Sequence, residues 1–177
     1  MSPASAVAGH PFRLVLTTIK TMFAAHVFWE YGYSWGPTAG ASMLPTFDIQ
    51  GDYALVDKRY RLGRNIAVGD LVNYRIPIFK NSDGVKRVIG MPGDYVLVNS
   101  PDAPGDMMIQ VPKGHCWIVG DNLEFSRDSR HFGPVPLGLI EGKVVAKPMP
   151  WSSRQIFRNA LVKPEDEGRG ANGKDQP

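Results

Sequence analysis

The sequence predicts a mainly β body, a barrel or sandwich, carried behind one N-terminal transmembrane helix. Three observations point there. Residues 12–35 are aromatic and apolar with few charges, residues 36–160 alternate short β-rich runs with turn residues, and residues 161–177 are polar. The 177 residues suffice for one domain with a sizeable core.

Residues 1–11 read as a flexible lead-in. From Phe12 to Trp35 the chain is about as long as a membrane-spanning helix needs, although Thr17, Thr18, Lys20, Thr21, His26 and Glu30 interrupt it. A lysine toward one end of such a helix reaches the interface by snorkelling. No small-residue cleavage site of the secretory kind follows, which favours a retained anchor. An interfacial helix and a cleaved mitochondrial address are the alternatives. Arg13 and Lys20 precede Glu30, and no acid comes earlier, so charge bias keeps the N-terminus inside and sends the body outward.

Past Gly36-Pro37 the expected strands are Tyr53–Val56, Asp70–Ile76, Val85–Ile89, Tyr95–Asn99, Met107–Val111, His115–Val119 and Gly142–Ala146. Between them lie Pro92-Gly93-Asp94, the run from Pro101 to Gly105, and Pro112-Lys113-Gly114. Proline presets φ and glycine permits positive φ, so each is a turn. Many short strands at regular spacing argue for an all-β architecture. The tail is expected to be disordered, because it has too little apolar surface to offset the entropy of ordering.

Composition excludes several functions. A net charge of +3 is too small to argue for nucleic acid. The one cysteine, Cys116, lies in an apolar run and reads as a buried thiol. The four histidines show no ligand spacing, so no metal or cofactor is expected.

Two fragments carry chemistry. Ser42 lies in the small-residue loop Gly40-Ala41-Ser42-Met43-Leu44-Pro45-Thr46, where Pro45 keeps Leu44 extended. Lys86 lies in the apolar strand Val85-Lys86-Arg87-Val88-Ile89. A serine hydroxyl needs a nearby base to attack a carbonyl. A lysine serves only when neutral, which requires its pKa to fall from about 10.4 toward 7–8. Sharing a strand face with Val88 supplies the desolvation that does this. Taken alone, the same residues also read as an ordinary loop serine and a solvated Lys-Arg edge. A third fragment, Gly120 to Arg130, adds a polar loop after a β-run. In it Asp121, Asp128 and Arg130 suit an ion-pair network, and Ser126 suits a bond to the lysine amine.

In this order, these fragments together with Gly69-Asp70-Leu71-Val72 resemble the signal peptidase I family of serine proteases, over about residues 12 to 147. The resemblance implies Ser42 as nucleophile and Lys86 as general base. It implies Ser126 as the group orienting the amine, with Asp128 and Arg130 as structural supports. The Ser42 backbone N–H is one oxyanion donor. The family's best-known pattern has a serine two residues before the nucleophile as the other; here Gly40 stands there, so a Gly40 backbone group or water is left to act. Met43 reads equally as a rim or pocket residue and as core.

The short length, with the segments Pro112–Trp117 and Pro136–Val144, resembles the mitochondrial inner membrane branch of the family. That branch implies an anchor in the lipid bilayer, a catalytic domain in the intermembrane space and precursors bearing sorting presequences as substrates. It also implies a heterodimer with the branch's subunit 2. A bacterial-type signal peptidase, a self-cleaving repressor-type protease and an inactive scaffold subunit are the competing readings.

Overall fold

The computed structural model describes residues 11–77, 79, 82–99, 107–159 and 161. The anticipated tail and flexible lead-in therefore lie outside the described residues, save Leu161 and Pro11.

Helix α1 spans Pro11–Tyr31 and buries none of its residues. The hydroxyls of Thr17, Thr18 and Thr21 donate to the carbonyls of Arg13, Leu14 and Thr17 at 2.8–3.0 Å, which hides their polarity. No described helix is long and apolar enough to cross a membrane. The helix is also shorter than the 12–35 segment expected. Tyr33–Pro37 instead forms strand β1, paired antiparallel with β2 at Tyr53–Asp57. An aromatic run fits either period, and here cross-strand packing decides: the Trp35 ring lies 6.0 Å from that of Tyr53. Lys58 fixes the end of α1, its N–H donating to Gly32 O and its amine to Trp29 O.

The remaining strands are β3 (Leu71–Arg75), β4 (Asp83–Gly90), β5 (Tyr95–Leu97), β6 (Met108–Gln110), β7 (His115–Val119), β8 (Val135–Pro136), β9 (Ile140–Met149) and β10 (Gln155–Ile156). The main sheet is antiparallel, in the order β1-β2-β9-β3-β4-β7-β8, with β10 added to β9; β5 and β6 pair separately. The body is mainly β, as the turn spacing predicts. Bulges interrupt the pairings of β9 with β2 and β3 and of β4 with β7, and bulges bend strands. The sheet curls: one cleft is lined both by Ser34–Pro37 and by Asp83–Lys86, from strands far apart in that order.

Alternation along the strands loads both sheet faces. One face carries Val72, Tyr74, Val88, Ile118 and Ile140 in one core, which includes Cys116. A second core gathers Met43, Phe47, Ala54, Val56, Leu71 and Val144, so Met43 is a core residue. The third, around Trp117, seats the β5–β6 hairpin through Val96. Cys116 is fully buried and burial pushes its thiol up to about 12.

Candidate active site

Ser42 belongs to a short 3-10 turn, Ala41–Met43, inside the long connection from β1 to β2. Met43 and Phe47 plug this connection into the second core. Its base is closed by Thr38, whose N–H and hydroxyl both donate to Asp52 O. Leu44 is extended, at φ −62° and ψ 142°, as expected before Pro45.

Lys86 sits opposite Val72 across the β3–β4 pairing and on the same strand face as Val88. Both valines are fully buried, and Lys86 is only 5% exposed. Its amine lies 2.5 Å from Ser42 Oγ. Burial pushes its pKa down to about 8. The negative charges of Asp128 and Asp121 resist that fall, and the positive charge of Arg130 assists it. The folded pKa lies below the unfolded value, so below pH 8 the protein carries a buried cation at a cost of about 3 kcal/mol. That cost is relieved as pH rises from about 8 toward 10.5.

The Gly120–Arg130 loop braces this pair. The Asn122 N–H donates to Ser42 O at 3.0 Å. The Thr46 hydroxyl donates to Asp121, which also receives Arg87 Nε and Nη2 at 2.8 and 2.7 Å. Asp121 thus ties the exit of the serine loop to the residue beside Lys86. Burial alone would raise the Asp128 pKa. Hydrogen bonds from the Arg130 guanidinium and the Gly120 N–H outweigh it and hold the carboxyl below the usual range. Asp128 also caps the short helix α2 (Ser129–Phe132) through the Arg130 N–H.

Two expected contacts take a different form. Ser126 is buried, but its hydroxyl is not bonded to the Lys86 amine. It packs against Gly120 and contributes to holding Asp128 ionised. At Gly40 the backbone N–H donates to Ile49 O at 2.9 Å, so it is not free for an oxyanion. Gly40 has φ +110°, where L side chains are strained and glycine is favoured. Outside its own turn the Ser42 N–H donates to no backbone carbonyl among the described residues, and a backbone N–H at that place suits an oxyanion.

Ser42 and Lys86 lie on the wall of a cleft of about 740 Å³, shared with Trp35, Ala54, Val56 and Tyr74. The arrangement can deliver a serine oxygen to a carbonyl held in the cleft and take its proton on a neutral amine. Lys147 and Asp52 form a buried ion pair beneath the serine loop. An isolated lysine near a strand end and an aspartate after a glycine carry no signal of pairing.

The chain matches the family described as Signal peptidase, peptidase S26, over residues 12–103 and 99–149. It is 39% identical over 140 residues to mitochondrial inner membrane protease subunit 1 of Schizosaccharomyces pombe, covering 78% of this chain and 88% of that protein. The protein of the same name from Saccharomyces cerevisiae is 41% identical over 140 residues, covering 72% and 74%. The one from Homo sapiens is 40% identical over 152 residues, covering 86% and 91%.

Two outcomes are expected from this geometry. In Gly120→Ala the new methyl group meets Ser126 Oγ at 2.2 Å and Ser42 O at 2.5 Å. The serine loop is displaced, and activity in a peptide-cleavage assay is expected to fall by about a hundredfold. Lys86→Met removes the buried cation. At neutral pH it is expected to stabilise the fold by about 1–3 kcal/mol, after loss of the Ser42 contact. Denaturant midpoints check this, and the gap to the native chain should close as pH rises from about 8 to 10.5.

Proposed function

The chain belongs to the signal peptidase family, peptidase S26, and we propose that it is a serine endopeptidase of the mitochondrial inner membrane. It removes sorting presequences from proteins delivered to the intermembrane space. The observation that carries this reading is the Lys86 amine, desolvated to a pKa of about 8 and lying 2.5 Å from Ser42 Oγ.

The chemistry follows from those two groups. In its neutral form Lys86 accepts the Ser42 hydroxyl proton as Oγ attacks the scissile carbonyl. The Ser42 N–H supports the oxyanion of the tetrahedral intermediate, with a second donor from water or substrate. Lys86, now protonated, gives its proton to the leaving amine, and the amide bond breaks to leave an ester on Ser42. A water molecule then attacks the ester. Lys86 takes the water's proton and returns it to Ser42 Oγ. Asp128, Arg130 and Ser126 support the site without touching the reacting atoms.

Helix α1 is the single-pass membrane anchor in this proposal. At 21 residues it is about 32 Å long, close to the thickness of a bilayer's hydrocarbon core, and it is in apolarity, with Lys20 and three threonines, that it falls short of a spanning helix. Its exposed Phe12, Leu14, Val15, Leu16, Ile19, Met22 and Phe23 support contact with lipid. With Arg13 and Lys20 before Glu30, the N-terminus lies in the matrix and the β body in the intermembrane space. The relatives are named as subunits, which supports a heterodimer with a subunit 2.

Ser42→Ala and Lys86→Met are each expected to abolish cleavage of a presequence substrate while the protein still accumulates in the membrane. The native rate is expected to rise with pH and level off above about 8, the direction set by the depressed lysine pKa. It should fall about tenfold for each pH unit below that. Cleavage by either variant, or a chemistry-limited rate flat across this range, contradicts the reading.

A further inference from the structure

We propose that Lys147 is a positioning residue for the nucleophile, acting through Asp52 and Thr46 to fix the path of the serine loop. The proposal rests on the serine peptidase reading above.

The starting observation is a break in the alternation of β9. Ile140, Gly142 and Val144 are buried in turn, and the next buried residue is Lys147 rather than Ala146. The pairing with β2 shows why. Val56 stands opposite Val144, but its neighbour Leu55 stands opposite Ala146, so β9 carries one extra residue just before Lys147. Such a bulge re-aims the side chains that follow it. Here it turns a lysine inward, to 6% exposure.

Among the described residues, Lys147 Nζ reaches groups of the serine loop alone. It donates to Asp52 Oδ2 at 3.0 Å and to Thr46 O at 3.4 Å, and it lies 5.8 Å from the centre of the Phe47 ring. Asp52 is fully buried and its Oδ2 also receives the Asp48 N–H at 2.8 Å. Its own carbonyl receives both bonds from Thr38. The pair therefore gathers positions 38, 46, 48 and 52 onto β9 from below. From above, Asp121 holds the Thr46 hydroxyl and Asn122 holds the Ser42 carbonyl. Thr46 is gripped from both sides, four residues past the nucleophile. A buried ion pair adds little net stability over apolar residues of similar volume, so its specific contribution is geometric.

The test uses the full chain. Lys147→Met alone strands the buried Asp52 carboxylate, so the main variant is the uncharged pair Asp52→Asn with Lys147→Gln. Loss of native cleavage in Ser42→Ala first establishes the peptidase reading separately. The paired variant is then expected to lose about ten- to hundredfold in kcat, with KM changed less than about threefold. Amide hydrogen exchange should rise in residues 38–52 while β3 and β4 stay protected. Lys147→Arg, which keeps the cation, should recover most of the lost kcat. If the paired variant does not fold, Asp52→Glu moves the ion pair by one methylene, and the same kcat loss at unchanged KM is expected. A folded variant with kcat within twofold of native overturns the proposal. So does a kcat loss in which the loop and the sheet lose protection together and Lys147→Arg gives no rescue.

Discussion

The approach of the Lys86 amine to the Ser42 hydroxyl, 2.5 Å apart, joins two parts of the chain that have nothing local in common. One lies in a strand near the middle of the sheet and the other in a long loop between the first two strands. For the amine to act as a base it must be dry, and for the hydroxyl to meet it the loop must be held. Val72 and Val88 meet the first requirement by sharing the lysine's face of the sheet. The Gly120–Arg130 loop meets the second through Asn122 and Asp121.

The charges nearby pull on the amine in both directions. Asp128 and Asp121 both favour the protonated lysine, which works against a neutral base. Each is neutralised by a guanidinium, Asp128 by Arg130 and Asp121 by Arg87. With those partners, desolvation outweighs the acids and the amine settles at about 8. The ion pairs therefore lend the loop its shape, and Arg130 offsets part of the acids' pull on the amine. The buried cation lowers stability, a common exchange at sites where function needs an unfavourable group.

Much of this was legible in the sequence because it rests on local periodicity. The β4 alternation places Lys86 with Val88, and Pro45 announces an extended Leu44. The proline and glycine turns mark most strand boundaries. What stayed hidden depends on tertiary context. The aromatic run Tyr33–Pro37 pairs with β2 instead of extending the helix, because the partner strand lies twenty residues on. Strands β8 and β10 are two residues each, too short for any period. The inward turn of Lys147 follows from a bulge that no spacing rule encodes. At Gly40 the sequence left the backbone amide available, whereas folding spends it on Ile49.

The account stands or falls on the protonation of one amine, which can be observed without turnover. With lysine side chains labelled with carbon-13 at Cε, the Lys86 signal is identified by its absence in Lys86→Met. Its chemical shift is then followed against pH in the full chain. The account requires a titration midpoint near 8. A midpoint near 10.4, the value of a solvated lysine, would contradict it.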